Sequence, residues 1–277
     1  MTSARQTPTT GVSLEPALDA ATAYVKKYQE TLTYIVADEV YTQEIRGQVP
    51  AQPKMPRTRT LASTAFFMFV PSSREWMAIR DVMTVDGRAV ADRPDIRSEL
   101  QRLPAERVGA LLRDYNSRFN LGRAARNFNE PTVSLLVLDP AHRQNFLFRR
   151  RGSKTAGRTT LLTVAFNERP STSPLIRDLQ LKPTLSSGEL LIDTATGEVH
   201  QANLDVTIGG LRVQLSTTYA RDERLGLLVP TVFRERYAQG VIDPTWMAAA
   251  RSGDYELVLC HASYKNFRRF EAAARIK

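Results

Sequence analysis

Cysteine is almost absent from this chain of 277 residues, since Cys260 is the single one. One thiol excludes an intramolecular disulfide and a C-x-x-C motif. The spacings H-x-x-x-H and H-E-x-x-H are also missing, so the sequence predicts no metal site and no cofactor. The P-loop, G-x-G-x-x-G and G-x-S-x-G patterns are absent as well. The chain therefore lacks the usual signatures of nucleotide-binding and hydrolytic enzymes.

Long apolar runs are also missing. No stretch of about 18 apolar residues occurs, so the sequence predicts no transmembrane helix. The first residues show no basic segment followed by an apolar one, and we expect residues 1–12 to form a flexible polar leader left after removal of a signal peptide. Residues 13–277 show no break in composition and no internal repeat. They are predicted to form one monomeric domain, and the single cysteine is compatible with the cytosol and with the periplasm.

Lysine is scarce relative to arginine: the 38 basic residues comprise seven lysines and 31 arginines, and the net charge is +9. The arginines are spread along the chain, and this pattern argues against nucleic-acid binding. One dense group stands out, Arg149, Arg150 and Arg151 with Lys154 and Arg158. It fits a solvated strand end, and it also fits a contact with an anionic membrane surface.

The segment from 188 to 270 predicts a long antiparallel meander. Five stretches rich in β-branched and aromatic residues are separated by turn sequences, among them Thr196-Gly197 and Gly209-Gly210. The N-terminal half predicts a helix from about 13 to 30, strands at 31–45, 58–70 and 75–85, helices over 92–120, and a short buried helix at 131–140. Asp86-Gly87, directly after the third of these strands, is a typical two-residue hairpin turn. The fold class is α+β: a single curved antiparallel sheet, an incomplete β-barrel of about 9–11 strands, with helices packed on or in its concave side.

The C-terminal meander resembles outer-membrane lipoprotein-sorting (LolA/LolB-like) carriers. The resemblance rests on a strand ending in Asp193, the turn Thr196-Gly197, the strand from Gly226 to Pro230, and the final Asn266-Phe267. It implies an incomplete β-barrel of about eleven strands around a few helices, with an apolar cavity between them. It also implies a non-catalytic role in the bacterial envelope, with a lipid or a lipoprotein acyl chain as the hydrophobic ligand.

Apolar residues at alternating strand positions are the candidates for such a cavity. The candidate ligand-binding residues lie on several predicted strands and on the helical segment, and comprise Phe67, Phe69, Trp76, Leu112, Tyr115, Leu204, Val206, Val213, Leu215, Tyr219 and Phe233. The same residue types also fill an ordinary core. The alternative is therefore a non-catalytic protein–protein interaction or sensory module of the same fold with a filled cavity, acting through envelope partners.

Catalysis is not predicted. Cys260 and His261 are neighbours on a strand and would point to opposite faces, so they would not form a thiol–imidazole pair. The carboxylate pairs Asp38-Glu39 and Asp222-Glu223 are interpreted as solvated charges. The chain is therefore expected not to be an enzyme.

Overall fold

The computed structural model describes residues 13–47, 57–123, 126, 130–157, 159–170, 174–177, 183–240 and 256–270. Its central feature is one antiparallel sheet of eleven strands, which confirms the predicted α+β class with a single curved sheet. The predicted leader, residues 1–12, lies outside the described residues.

Strands that are neighbours in the chain mostly pair with each other, as in a meander, and the first strand also pairs with the last. Their bounds are β1 Ile35–Arg46, β2 Thr58–Val70, β3 Glu75–Val85, β4 Arg88–Ala89, β5 Phe146–Ala156, β6 Thr159–Glu168, β9 Ser186–Asp193, β10 Val199–Ile208, β11 Leu211–Asp222, β12 Leu227–Gln239 and β13 Glu256–Arg269. The order across the sheet is β4-β3-β2-β1-β13-β12-β11-β10-β9-β6-β5, so β1 pairs with the last strand and β4 and β5 form the two edges. A separate two-stranded sheet joins β7 (Ile176–Arg177) to β8 (Pro183–Thr184).

The turns that the sequence indicates are where the strands reverse. Asp86 and Gly87 have φ angles of 50° and 78°, the left-handed pair that a two-residue hairpin turn requires. The same applies to Gly209 and Gly210, at 54° and 84°, between β10 and β11. The predicted five-stranded meander from 188 to 270 is confirmed.

In the described part of the chain, three α-helices accompany the sheet: α1 Leu14–Leu32, α2 Ile96–Arg102 and α3 Ala105–Ser117. Two short 3-10 segments, Val133–Leu138 and Arg143–Asn145, follow. Helix α1 runs two residues beyond its predicted end, so β1 begins at Ile35 instead of residue 31. The β-branched residues Thr31 and Thr33 misled that prediction; their hydroxyls bond back to helix carbonyls, as Thr33 Oγ1 does to Gln29 O at 2.5 Å.

The two faces of the sheet carry two hydrophobic clusters. On β2, Leu61, Ala65 and Phe67 belong to the main core, whereas Phe66 and Met68 belong to a second cluster. Successive strand residues point to opposite faces, so the clusters lie on opposite sides. We call the face covered by α1 and Val133–Leu138 the inner face, and the other the outer face.

Helix α1 fits the inner face because its apolar residues recur every three or four positions. The buried side chains of this stripe are Ala17, Leu18, Ala21, Val25, Tyr28 and Leu32. The segment Val133–Leu138 is buried at all six positions, which agrees with the short buried element predicted at 131–140. Helix α3 behaves differently. Its Val108 and Leu112 pack with Met77 and Ile79 on the outer face, and only Tyr115 and the following Phe119 reach the main core. Helices α1 and α3 therefore cover opposite faces, so the prediction that the helices pack on one side of the sheet is wrong for α3.

Candidate functional site

The predicted ligand-binding residues converge on the inner face, with one exception. Eight are buried in the main core, and these are Phe67, Trp76, Leu204, Val206, Val213, Leu215, Tyr219 and Phe233. Phe69 and Tyr115 are partly buried and pack against its margin. Leu112 belongs to the cluster on the outer face. The sequence thus identifies which strand positions point inward. It does not identify the face that α3 covers, and this is why Leu112 is the exception.

Aromatic side chains fill one end of the inner face, beneath α1. Tyr28 lies with its ring centroid 6.0 Å from Trp76 and 6.4 Å from Tyr219, and Tyr24 stacks on it at 5.4 Å. Phe69 makes an edge contact with Trp76 at 5.4 Å. Such tilted contacts contribute about 0.5–1.5 kcal/mol each beyond burial. This aromatic cluster connects the helix to strands at both sides of the sheet.

Several polar atoms in this region are buried without a hydrogen-bond partner among the described residues. They include Tyr28 Oη, Trp76 Nε1 and Ser134 Oγ. Buried hydroxyl and indole groups are nearly always paired, because an unpaired one costs about 1–3 kcal/mol. The contact between α1, Val133–Leu138 and the sheet is therefore closely packed but leaves these three polar atoms without a protein partner among the described residues.

A second region of the inner face is charged, and it begins with an ion pair between strands. Glu39 on β1 and Arg80 on β3 form two parallel hydrogen bonds, with Nε to Oε2 at 2.5 Å and Nη2 to Oε1 at 2.7 Å. The side chains are 1% and 7% exposed. The Arg80 guanidinium also lies 4.1 Å from the centroid of the Tyr41 ring. The prediction that Glu39 is a solvated charge is wrong, whereas its neighbour Asp38 points outward and bonds Arg268 Nη1 at 2.9 Å.

Arg126 brings a second guanidinium into the same region. Its Nη2 donates to Gln43 Oε1 at 2.6 Å and its Nη1 to Cys260 Sγ at 3.0 Å, and the residue is only 4% exposed. Gln43 also fixes the preceding chain, since it donates to Phe119 O at 3.0 Å and accepts from Leu121 N at 2.9 Å. Gln43 on β1 is thus one of the strand residues that hold the chain after α3 against the inner face.

Glu235 completes this charged region, which we call the inner polar cluster: Glu39, Arg80, Gln43, Arg126 and Glu235. The Glu235 carboxylate accepts a hydrogen bond from Tyr237 Oη, and burial raises the pKa of Glu235. Sequence reasoning missed this cluster. The available signal was alternation: Glu39 shares a face with Tyr41 and Gln43, and Glu235 stands between the inward-facing Phe233 and Tyr237.

The arrangement has few features of a catalytic centre. Cys260 is buried and His261 exposed on the other face, so the two do not pair. Burial raises the pKa of the Cys260 thiol to about 12, which leaves it protonated near neutral pH. Asp222 serves a turn, accepting from Arg224 N and Leu225 N at 3.0 Å each. Within the described part of the chain, no group of three or more His, Cys, Asp or Glu side chains could hold a metal ion.

The outer face carries an open groove of about 1000 Å³ that crosses the strands. Polar side chains dominate its exposed lining, among them Thr42, Asn203, Ser216, Arg234 and His261. These residues alternate with the buried residues of the main core, so the groove and the core are the two sides of the same strands.

No helix among the described residues is long and apolar enough to cross a membrane.

No family profile matches this sequence, and no curated protein matches it. Among solved structures, the chain is similar to an outer membrane lipoprotein-sorting protein domain from Vibrio parahaemolyticus, with a TM-score of 0.36 at 8% identity over 95% of this chain and 94% of that one. It is also similar to a DUF1329 family protein from Desulfovibrio piger ATCC 29098, with a TM-score of 0.38 and the same identity and coverage. The resemblance predicted from the meander thus reappears in the structural comparison, at a level of similarity that carries no information on function.

Proposed function

We propose that this protein binds and carries a hydrophobic ligand, a lipid or a lipoprotein acyl chain, on the inner face of its sheet. The ligand would lie between the strands and the cover formed by α1 and Val133–Leu138. The proposed location is the bacterial envelope, with the protein acting as a non-catalytic carrier in the periplasm. The observation that carries the proposal is the set of unpaired buried polar atoms at this cover, Tyr28 Oη, Trp76 Nε1 and Ser134 Oγ.

Those atoms support the proposal because they make the closed arrangement less favourable than its packing alone suggests. If α1 moves away, water or a ligand headgroup can reach the hydroxyl and indole groups, which recovers about 1–3 kcal/mol for each. The apolar stripe of α1 would lose contact in the same movement. An acyl chain would replace that contact along the strands.

The apolar gain and the apolar loss of this exchange are similar in magnitude. A chain of a dozen methylenes gains about 10 kcal/mol on burial, at about 0.8 kcal/mol per CH₂. Uncovering Leu18, Val25, Tyr28 and Leu32 loses roughly 2 kcal/mol for each side chain, or about 8 kcal/mol together. An apolar gain and an apolar loss of similar size suit a carrier, which must both take up and release its ligand.

Polar contacts hold α1 in place near both ends. Arg143 Nη1 donates to Asp19 Oδ1 at 2.7 Å, and Arg143 Nη2 lies 3.3 Å from Glu15 Oε2. Gln29 Nε2 donates to Asp139 Oδ2 at 2.7 Å. The Arg143 contacts are largely exposed on the carboxylate side, so each contributes only about 0.2–1 kcal/mol. They can be removed without disturbing the core.

A second function is favoured by a specific observation, the aromatic filling of the inner face. Tyr28, Trp76 and Tyr219 occupy the space that an open cavity would leave, and Phe67 packs between Tyr264 and Phe267. A protein whose inner face stays filled would act as a protein–protein interaction or sensory module. The two functions differ in whether the cover opens.

Native mass spectrometry of the purified protein, with organic extraction of what co-purifies, separates them. The carrier predicts a bound lipid or uptake of a dansyl-labelled undecanoic acid at one site. Arg143→Gln frees the start of α1 and should tighten uptake of that probe about threefold, as loss of a surface ion pair allows. Arg46→Gln, which removes an exposed pair with Glu44, is the matched control and should leave uptake unchanged. A clean apo mass with no uptake by any of the three proteins would reject the carrier in favour of the module.

A further inference from the structure

Most of the net charge of the chain is concentrated in one segment. Between residues 143 and 169 there are seven basic residues and one acidic residue, a net +6 of the total +9. The basic residues are Arg143, Arg149, Arg150, Arg151, Lys154, Arg158 and Arg169. The acidic one, Glu168, points inward and accepts from Leu175 N at 2.7 Å and Ser186 Oγ at 2.7 Å. It therefore does not offset the positive charge at the surface.

The fold presents this segment at an edge of the sheet. β5 is an edge strand, and Leu147 and Arg149 lie on its outer side, both exposed. Leu147 is 51% exposed, and Leu185 is 47% exposed immediately before β9. Leu147 pairs with Asn167 and Asn167 with Ser187, so Leu147, Arg169 and Leu185 lie at the same end of three adjacent strands. Two of the four exposed large hydrophobic residues in the described chain thus flank an arginine.

An open pocket of about 520 Å³ lies beside Leu147. Leu18, Phe146 and Phe148 supply apolar lining, and Arg143 and Arg169 supply positive charge. The acidic groups that face this edge from other elements are accounted for. Glu15 and Asp19 on α1 contact Arg143, and Glu189 on β9 lies 4.0 Å from Arg151. Three carboxylates therefore contact a segment with six described cations, which leaves the segment positive.

We propose that this edge, defined by Leu147, Arg149, Arg151, Lys154, Arg169 and Leu185, docks on an anionic bilayer surface. Phosphate groups of the lipids would contact the arginines, and the two leucines would enter the boundary between headgroups and acyl chains. Charge complementarity identifies the occupant, because a bilayer of anionic lipid is negative over the whole width of this edge. The proposal concerns the edge of the sheet and does not depend on ligand binding at the inner face.

Vesicle flotation with the full chain tests it. Vesicles of phosphatidylcholine alone are compared with vesicles containing about a third phosphatidylglycerol. Binding should require the anionic lipid and should weaken as salt shortens the Debye length from about 10 Å at 0.1 M to about 3 Å at 1 M. Arg149→Gln/Arg169→Gln should weaken binding about 25-fold, since each charge near the surface contributes about fivefold. Leu147→Ser should weaken it about tenfold or more, because one buried leucine is lost.

Two control variants make the same chemical changes elsewhere. Arg88→Gln/Arg107→Gln removes two exposed charges at β4 and α3, and Leu111→Ser removes a leucine that is 44% exposed. Neither should change binding by more than about twofold. If the control pair weakens binding as much as the edge pair, diffuse attraction by net charge replaces the proposed edge. Equal binding to neutral and anionic vesicles, or no binding to anionic vesicles, also overturns the proposal. Loss of vesicle binding in millimolar glycerol phosphate overturns it as well, because it would indicate a site for a soluble phosphate.

Discussion

The ion pair between Glu39 and Arg80 should contribute strongly to the unfolding free energy, and only as a pair. Arg80→Met fills a similar volume but leaves Glu39, whose side chain is 1% exposed, without its two hydrogen bonds. Removing one partner of a buried pair costs about 3–5 kcal/mol. That loss is a large part of the 5–15 kcal/mol that a domain typically has.

The double variant Glu39→Leu/Arg80→Met should recover most of that loss, because apolar side chains at both positions leave no buried charge unpaired. Urea unfolding at neutral pH of the wild type, both single variants and the double variant gives the coupling energy directly. Arg46→Met, which breaks an exposed pair with Glu44, is the control and should cost under about 1 kcal/mol. A cost below about 1 kcal/mol for Arg80→Met, or a double variant no more stable than Arg80→Met, would refute the reasoning.

Three further predictions follow from single residues. Burial raises the pKa of Glu235, so the folded state binds the carboxyl proton more tightly than the unfolded state does. The protonated carboxyl therefore contributes stability at low pH, and this contribution is lost as the pH rises through the pKa of the folded state. In urea unfolding, Glu235→Gln should therefore gain stability relative to wild type as the pH rises above the ordinary range of a carboxyl pKa, and a pH-independent difference would contradict this. The Cys260 thiol, with its pKa raised to about 12 by burial, should react with dithionitrobenzoate at pH 8 only after urea unfolding; rapid labelling of the native protein would be inconsistent with its burial. Gly197→Ala should destabilise the fold more than Gly210→Ala. Both glycines have positive φ, but a Cβ at 197 would lie 2.3 Å from Ala20 O, whereas one at 210 would meet nothing within 4 Å. In thermal unfolding we expect a loss of about 1–2 kcal/mol at 210 and at least that much more at 197, and equal losses would argue against the close approach of α1.

Turn chemistry made the sheet predictable from the sequence. Asp86-Gly87, Gly209-Gly210 and Gly197 adopt the positive φ angles that their residue types favour, and the strands between them follow. Strand alternation then identified which apolar residues share a face. Neither signal tells which face a helix covers, and for this reason Leu112 was assigned to the ligand site although α3 packs on the outer face.

The inner polar cluster was missed for a different reason. Glu39 and Arg80 are 41 residues apart and meet only because β1, β2 and β3 are neighbours. Charged residues are mostly exposed in proteins, so that expectation took precedence over the inward position that alternation gives to Glu39. The placement of Arg126 depends on the chain after α3, which has no periodic pattern to predict from.

Hydrogen exchange of α1, with and without one equivalent of dansyl-undecanoic acid, tests the central claim most directly. If the probe enters between the sheet and its cover, amides of Leu14–Leu32 should lose protection while those of β10 and β11 keep or gain it. A probe that binds with no change in the exchange of α1, or that does not bind at all, would contradict a carrier whose helix opens.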